Sequence, residues 1–172
     1  MTSVTTRSIR MDGKTYDVLR KEAATRAISF NTLTNEILDK YVNFDRFMFN
    51  FELMVLHKRM LIRQFLELHD ETIKSIGEGE GAAFPKQILT TTGRALNKQS
   101  MVYFVDTVVS RYQDYCRCER HTTGDKESFV LRHDLGAKWT EFLSAYLTSA
   151  FKSVLRQDIT LEVGDQKLSF IL

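Results

Sequence analysis

The chain has 172 residues, 43% hydrophobic and 27% charged, which allows a small module plus one domain with a proper core and excludes a disordered tail. Its 24 basic and 22 acidic side chains leave a net charge of only +2, so any attraction to nucleic acid is modest and has to be multiplied by dimerisation. No run approaches the ~20 apolar residues of a membrane span, and the N-terminus lacks a signal peptide's apolar core. With Cys116 and Cys118 two apart in a poor disulfide arrangement, a reduced, cytoplasmic protein is expected.

The first predicted element is a strand over Thr5 to Met11. Alternate side chains of a strand face opposite ways, so Thr6, Ser8 and Arg10 share an outward, basic-tipped face while Ile9 and Met11, with Arg7, point toward a core. A single strand is not a stable sheet. Antiparallel pairing with the same strand of a second copy solves this about a two-fold axis, and the resulting ribbon fits the major groove of DNA. Asp12 is placed to cap a following helix whose buried side carries Tyr16, Leu19, Ala23 and Ala27, with Lys14, Arg20, Lys21 and Arg26 facing water. Ser29 then reads as the cap of a second helix, striped by Leu33, Ile37, Leu38 and Tyr41. The backbone amides of Ser29, Phe30 and Asn31, at the positive end of that helix dipole, form a ready anion site.

This order of elements, from Thr5 to Val42, resembles the ribbon-helix-helix family of DNA-binding regulators, the Arc, MetJ and CopG type. The resemblance implies an intertwined β-α-α homodimer that reads bases through Thr6, Ser8 and Arg10 and clamps phosphate at Ser29, Phe30 and Asn31. Arg10 is then the main specificity determinant, because its planar fork can bond two guanine acceptors. Three positions depart from the family's pattern. Asp12 stands where proline is often found, Ala27 where glycine is usual between the helices, and Arg7 where an apolar residue is common. Seven basic and five acidic residues fall within the first 43, which accounts for the whole net charge; the remaining 17 of each sign cancel.

Beyond residue 43 the period changes, and a second domain is expected over residues 44–172. Phe47, Phe49, Phe51, Leu53 and Val55 alternate with more polar neighbours and read as a strand. A helix follows from His57 to Ile76, striped by Met60, Leu61, Phe65, Leu68, Thr72 and Ile76, until the GEGEGAAFP run from Gly77 ends it as a surface connection. The glycines there are no phosphate loop, since Glu78 and Glu80 repel phosphate and no Lys-Ser/Thr pair follows. Helical segments are predicted at Lys86–Ala95 and Lys98–Tyr112, the latter lined by Met101, Phe104, Val105, Val108 and Val109.

The stretch from Tyr115 to Gly136 reads as a hairpin turning at Gly124-Asp125, with Cys116 opposite His133 and Cys118 opposite Leu131. That register gathers Cys116, Cys118 and His133 on one face as a candidate zinc-ligand set. Phe129 and Leu131 on the same face make it core-facing, where free cysteine behaves as a small apolar residue, which is the stronger reading. A helix from Gly136 carries Trp139, Phe142, Leu143, Tyr146, Leu147, Ala150, Phe151 and Val154 on one stripe. Ile159, Leu161 and Val163 then alternate, Gly164-Asp165 turns the chain, and Leu168, Phe170 and Leu172 return. The expected class is α+β, an antiparallel sheet packed on helices.

The favoured function is a homodimeric transcriptional regulator of double-stranded DNA, dimers assembling further into tetramers being open, with no cofactor and no membrane partner. Its C-terminal domain would strengthen dimerisation or sense a small-molecule effector. The aromatic residues Trp139, Tyr146, Phe47 and Phe49 could enclose an apolar effector, although such stripes are more often plain core. Nickel-responsive relatives carry a denser His and Cys set than this chain has. The alternative is an antitoxin-like partner binder with autoregulatory DNA binding. Catalysis is not expected, because His133 and Asp134 are strand neighbours facing opposite ways, no nucleophile motif accompanies them, and His57 and His69 lie on differing faces of one helix.

Overall fold

A computed structural model describes residues 5, 6, 8–124 and 126–172. The chain divides into two compact units, residues 1–46 and 47–172. Together they are mixed α+β, with six helices and one four-stranded antiparallel sheet among the described residues.

In the first unit, α1 (Gly13–Thr25) and α2 (Phe30–Asn43) form a hairpin. Asp12 begins α1 by accepting the Thr15 backbone N–H at 2.9 Å, and Ser29 begins α2 by accepting that of Thr32 at 3.0 Å. Each cap satisfies a first-turn amide that the helix cannot, and both stand where sequence placed them. Between the helices the chain reverses in a Schellman turn: Ile28 N–H bonds the Ala23 carbonyl at 3.0 Å and Ala27 N–H that of Ala24 at 3.1 Å. Ala27 sits at its left-handed position, φ +52°, where glycine is favoured.

The hairpin buries Ala23 and Leu33, and Phe44 just beyond α2 is buried too. Of the other stripe residues, Leu19 is half-buried, while Tyr16, Ala27, Ile37, Leu38 and Tyr41 are exposed. So are Ile9, Met11, Val18 and Val42, with Ile9 66% and Val18 57% accessible. The expected strand over Thr5 to Met11 is absent as such: among the described residues no strand precedes Arg117, and Thr5, Thr6 and residues 8–11 pair with nothing in their own chain. The physical reason is that a strand exists only through its hydrogen-bonded neighbour, and a lone chain offers none here. Arg7 lies outside the described residues.

The second unit begins differently from expectation. Phe47 to Val55 is no strand but a 3-10 turn (Asp45–Phe47) followed by further turns, with Phe51 N–H bonding the Phe47 carbonyl at 3.0 Å and Leu53 N–H that of Met48 at 2.9 Å. The aromatic alternation misled because Phe47 and Phe51 meet one turn apart, ring centroids 5.8 Å, and Phe51 continues onto Phe84 at 5.7 Å, leaving Phe49 94% exposed.

The helix expected over His57–Ile76 is two, α3 (Lys58–Glu67) and α4 (Asp70–Thr91), and α4 runs straight through GEGEGAAFP. Of the expected Lys86–Ala95 helix, residues 86–91 are the C-terminal end of α4 and residues 92–95 belong to the turn after it. The glycines serve a long-range contact. Gly77 and Gly81 are buried against the last long helix, α6 (Ala137–Leu155): a Cβ on Gly77 would stand 2.6 Å from the Phe142 carbonyl oxygen, and one on Gly81 2.2 Å from that of Tyr146. Small residues four apart on one helix face let two backbones approach this closely, as in the small-xxx-small pattern. Gly79 faces away, with nothing near it, and the Ser149 hydroxyl donates to the Glu78 carbonyl at 2.7 Å across the same contact.

α5 (Lys98–Tyr103) passes without interruption into a π-helical stretch, Phe104–Tyr112. Met101, Phe104, Val105, Val108 and Val109 are all buried, as expected of this segment. Strands β1 (Arg117–Thr123), β2 (Lys126–Arg132), β3 (Glu162–Gly164) and β4 (Lys167–Ile171) form an antiparallel sheet in the order β1-β2-β4-β3. Cys118 pairs with Leu131, the register read from sequence; Gly124 turns with φ +59°, and Asp125 lies outside the described residues. The Phe129 and Phe170 rings stack at 4.8 Å, and Phe151 of α6 meets Phe170 at 5.3 Å, so helix and sheet share one core. All eight stripe residues of α6 are buried. No helix among the described residues is long and apolar enough to cross a membrane.

Candidate nucleic-acid interface

The residues assigned to base reading, Thr6, Ser8 and Arg10, are all exposed. At the start of α2, Ser29 and Asn31 are exposed and Phe30 is half-buried, its ring 5.2 Å from that of Tyr16. The Ser29 cap consumes specific donors: its Oγ takes the Thr32 amide and shares a 2.8 Å bond with Thr32 Oγ1, while Leu33 N–H returns to the Ser29 carbonyl at 3.0 Å. Helix geometry gives the amides of Phe30 and Asn31 no intrahelical acceptor, and they stand at the positive end of the dipole. Such a pair suits a phosphate oxygen.

Ion pairing decides which cations remain available. Arg26 is bound to Glu22 at 3.8 Å and Glu36 at 2.5 Å, and Lys40 to Asp45 at 3.7 Å. Among the described residues Arg10, Lys14, Arg20 and Lys21 have no acidic partner within ion-pair distance. Sequence counted these six basic residues alike, and only the structure separates the engaged ones from the others. Asp12, an acid in the same unit, has its carboxyl held below the usual range, first by the Thr15 hydroxyl and then by the Thr15 amide.

In the second unit the three residues weighed as zinc ligands belong to the core edge. Cys116 is buried and Cys118 half-buried, and burial pushes their thiols up to about 12 and about 11, away from the thiolate a metal needs. Both ring nitrogens of His133 are engaged, Nδ1 accepting the Leu135 amide at 3.3 Å and Nε2 lying 3.1 Å from Thr140 Oγ1. No group of three or more His, Cys, Asp or Glu side chains among the described residues is arranged to hold a metal ion. Asp134 turns outward to Lys58 at 3.9 Å. His57 and His69 begin two different helices, α3 and α4, rather than sharing one.

The aromatic residues offered as an effector enclosure do not form one. Trp139 and Tyr146 pack into a continuous series with Phe142, Tyr115 and Phe104, the Trp139 and Phe142 rings 4.6 Å apart and the Trp139 indole N–H donating to the Tyr115 carbonyl at 3.1 Å. Phe49 stands outside it. Comparison with protein-family models and with curated proteins found no match to this sequence.

Proposed function

We propose that residues 1–46 are the DNA-binding and dimerisation module of a transcriptional regulator of ribbon-helix-helix type. The observation that carries this reading is an imbalance within the unit: two well-capped helices of 13 and 14 residues leave six large apolar side chains exposed, and Ile9 and Met11 before them make eight. Units this small rarely close a core alone. At about 1.5 to 3 kcal/mol for a side chain taken from full exposure to burial, covering four that are about half exposed is worth about 3 to 6 kcal/mol per copy before the cost of association. A second copy is the occupant that also supplies the missing strand. Two Thr5–Met11 segments paired antiparallel bury Ile9 and Met11 and turn Thr6, Ser8 and Arg10 of both copies outward.

In this arrangement Arg10 reads guanine, the Phe30 and Asn31 amides fix the backbone register, and Lys14, Arg20 and Lys21 supply salt-sensitive attraction. A second reading, a partner-binding module with autoregulatory DNA binding, is favoured by α3, which buries none of its residues and exposes Met60 and Leu66. Fluorescence anisotropy with duplex from the protein's own upstream region and with random duplex, each at two salt concentrations, tests the first. Arg10→Ala is expected to lose about 1–3 kcal/mol on the specific duplex only. Asn31→Asp suits the helix dipole but repels phosphate, and is expected to weaken both duplexes alike. Equal losses on both duplexes for Arg10→Ala contradict its role, and no binding to either by a dimeric protein favours the second reading.

A further inference from the structure

The second unit holds a cleft that the DNA-binding reading does not use. It has a volume of about 600 Å³, in the range of small-molecule sites, and is lined by the turn after α4, by α5 and its π-helical continuation, and by Arg120 of β1. The turn is a Schellman motif: Gly93, φ +71°, sends its N–H to the Thr90 carbonyl at 3.0 Å, and Arg94 N–H reaches that of Leu89 at 2.8 Å. That reversal lays the Arg94 guanidinium over the Tyr103 ring, 3.5 Å from its centroid. A guanidinium held flat on an aromatic face has its fork fixed in advance. Yet Arg94 Nε is buried and meets no acceptor among the described residues. An unmet donor on a charged group is costly, and it calls for an acceptor from outside the chain.

The lining also identifies the acceptor. It carries two arginines, Arg94 and Arg120, against one acid, Asp106; Arg111 pairs Asp106 at 3.3 Å and Glu127 pairs Arg120 at 3.7 Å, so among the described residues Arg94 is the lining arginine without an acidic partner. This balance matches one negative charge and leaves Asp106 to repel a second. The π-helical winding contributes Asp106 and Thr107; such windings are rare and concentrate at functional sites. Asn97 caps α5 through Oδ1, which accepts the Ser100 amide at 2.9 Å, and its Nδ2 remains a donor at the cleft. We propose that this cleft binds a small molecule through a single carboxylate, gripped by the Arg94 fork with Arg120 and Asn97 as further donors. A planar monoanion fits the fork in two parallel bonds, and a phosphate dianion does not fit the charge.

The test is a titration of the isotope-labelled full chain with sodium propionate, followed at the Arg94 Nε–H and the Asn97 side-chain amide. Sodium phosphate and sodium chloride at matched ionic strength are the controls. The proposal expects saturable shifts with propionate alone, weakened at least about tenfold by Arg94→Lys, which keeps the charge and loses the fork, and by a smaller factor in Arg120→Gln on the exposed edge strand. The edge-strand variant guards against a folding defect from the first. Absence of saturation with propionate, saturation by phosphate at equal or lower concentration, or unchanged affinity in both variants each overturn it. The readout is local to this unit and independent of whether the protein binds DNA.

Discussion

The two units spend similar helical patterns in opposite ways. α6 buries its whole apolar stripe against α4 and the sheet within one chain, whereas α1 and α2 bury Ala23 and Leu33 and leave most of theirs in water. An amphipathic stripe therefore tells which face seeks cover, but not whether the cover lies in the same chain. In the second unit the closure depends on glycine, and in the first we propose that it comes from another copy.

The largest effect expected from breaking this contrast lies at the α4–α6 contact. Gly81→Ala places a Cβ into the Tyr146 backbone and should destabilise the second unit by about 3 kcal/mol, with Gly77→Ala close behind. Gly79→Ala, on the open side of the same helix, should stabilise it by about 0.5–1 kcal/mol. Urea unfolding of the three variants checks the order; similar effects at Gly79 and Gly81 would mean that the close approach is not what the glycines are for.

The same run shows why part of the fold was legible in sequence and part was not. The Asp12 and Ser29 caps and the Cys118–Leu131 register were readable because their causes lie within a few residues or across one hairpin. GEGEGAAFP misled because local propensity makes a loop of it, and the contact that holds it helical comes from Phe142 to Ser149, some seventy residues later. Phe47 to Val55 misled for a related reason, since aromatic side chains can be brought together by a turn as well as by a strand. Of the candidate interface, the Ser29 cap was legible, but the ion pairs that occupy Arg26 and Lys40 were not. Nothing in the residues announced the cleft beside Arg94, which exists only where a helix end, a π-helical segment and an edge strand converge.

A smaller effect compares the two Schellman turns directly. Ala27 and Gly93 hold the same left-handed position at the ends of α1 and α4. Ala27→Gly should stabilise the first unit by about 1 kcal/mol, and Gly93→Ala should destabilise the second by about as much. Thermal melting of each variant reads both signs, and a loss of stability in Ala27→Gly would contradict the strain assigned to it.

Two titrations sharpen the account of the second unit. Because burial raises both thiols, Cys116 and Cys118 should resist alkylation at pH 8 in the folded protein and react fully once it is unfolded, Cys118 ahead of Cys116. Fast native labelling of Cys116 would show that its site opens. The smallest effect concerns His133, whose pKa burial lowers against the opposing pull of Asp134 and Asp165. The unfolded chain then binds a proton that the folded one resists, so this contribution to stability is complete above about pH 6.5 and is lost as pH falls below it. Urea midpoints of wild type and His133→Gln across that range should converge in acid; a wild-type stability that rises as pH falls there, absent from the variant, would reverse the assignment.

The central claim is that the first unit is completed by a second copy through the segment before α1. Hydrogen exchange followed by mass spectrometry on the full chain, at two protein concentrations with the mass in solution measured alongside, tests it most directly. A dimer is expected in which backbone amides of residues 5–11 are protected, with that protection falling on dilution or in Ile9→Asp while the second unit is unchanged. A monomer whose residues 5–11 exchange at unprotected rates at both concentrations would contradict it.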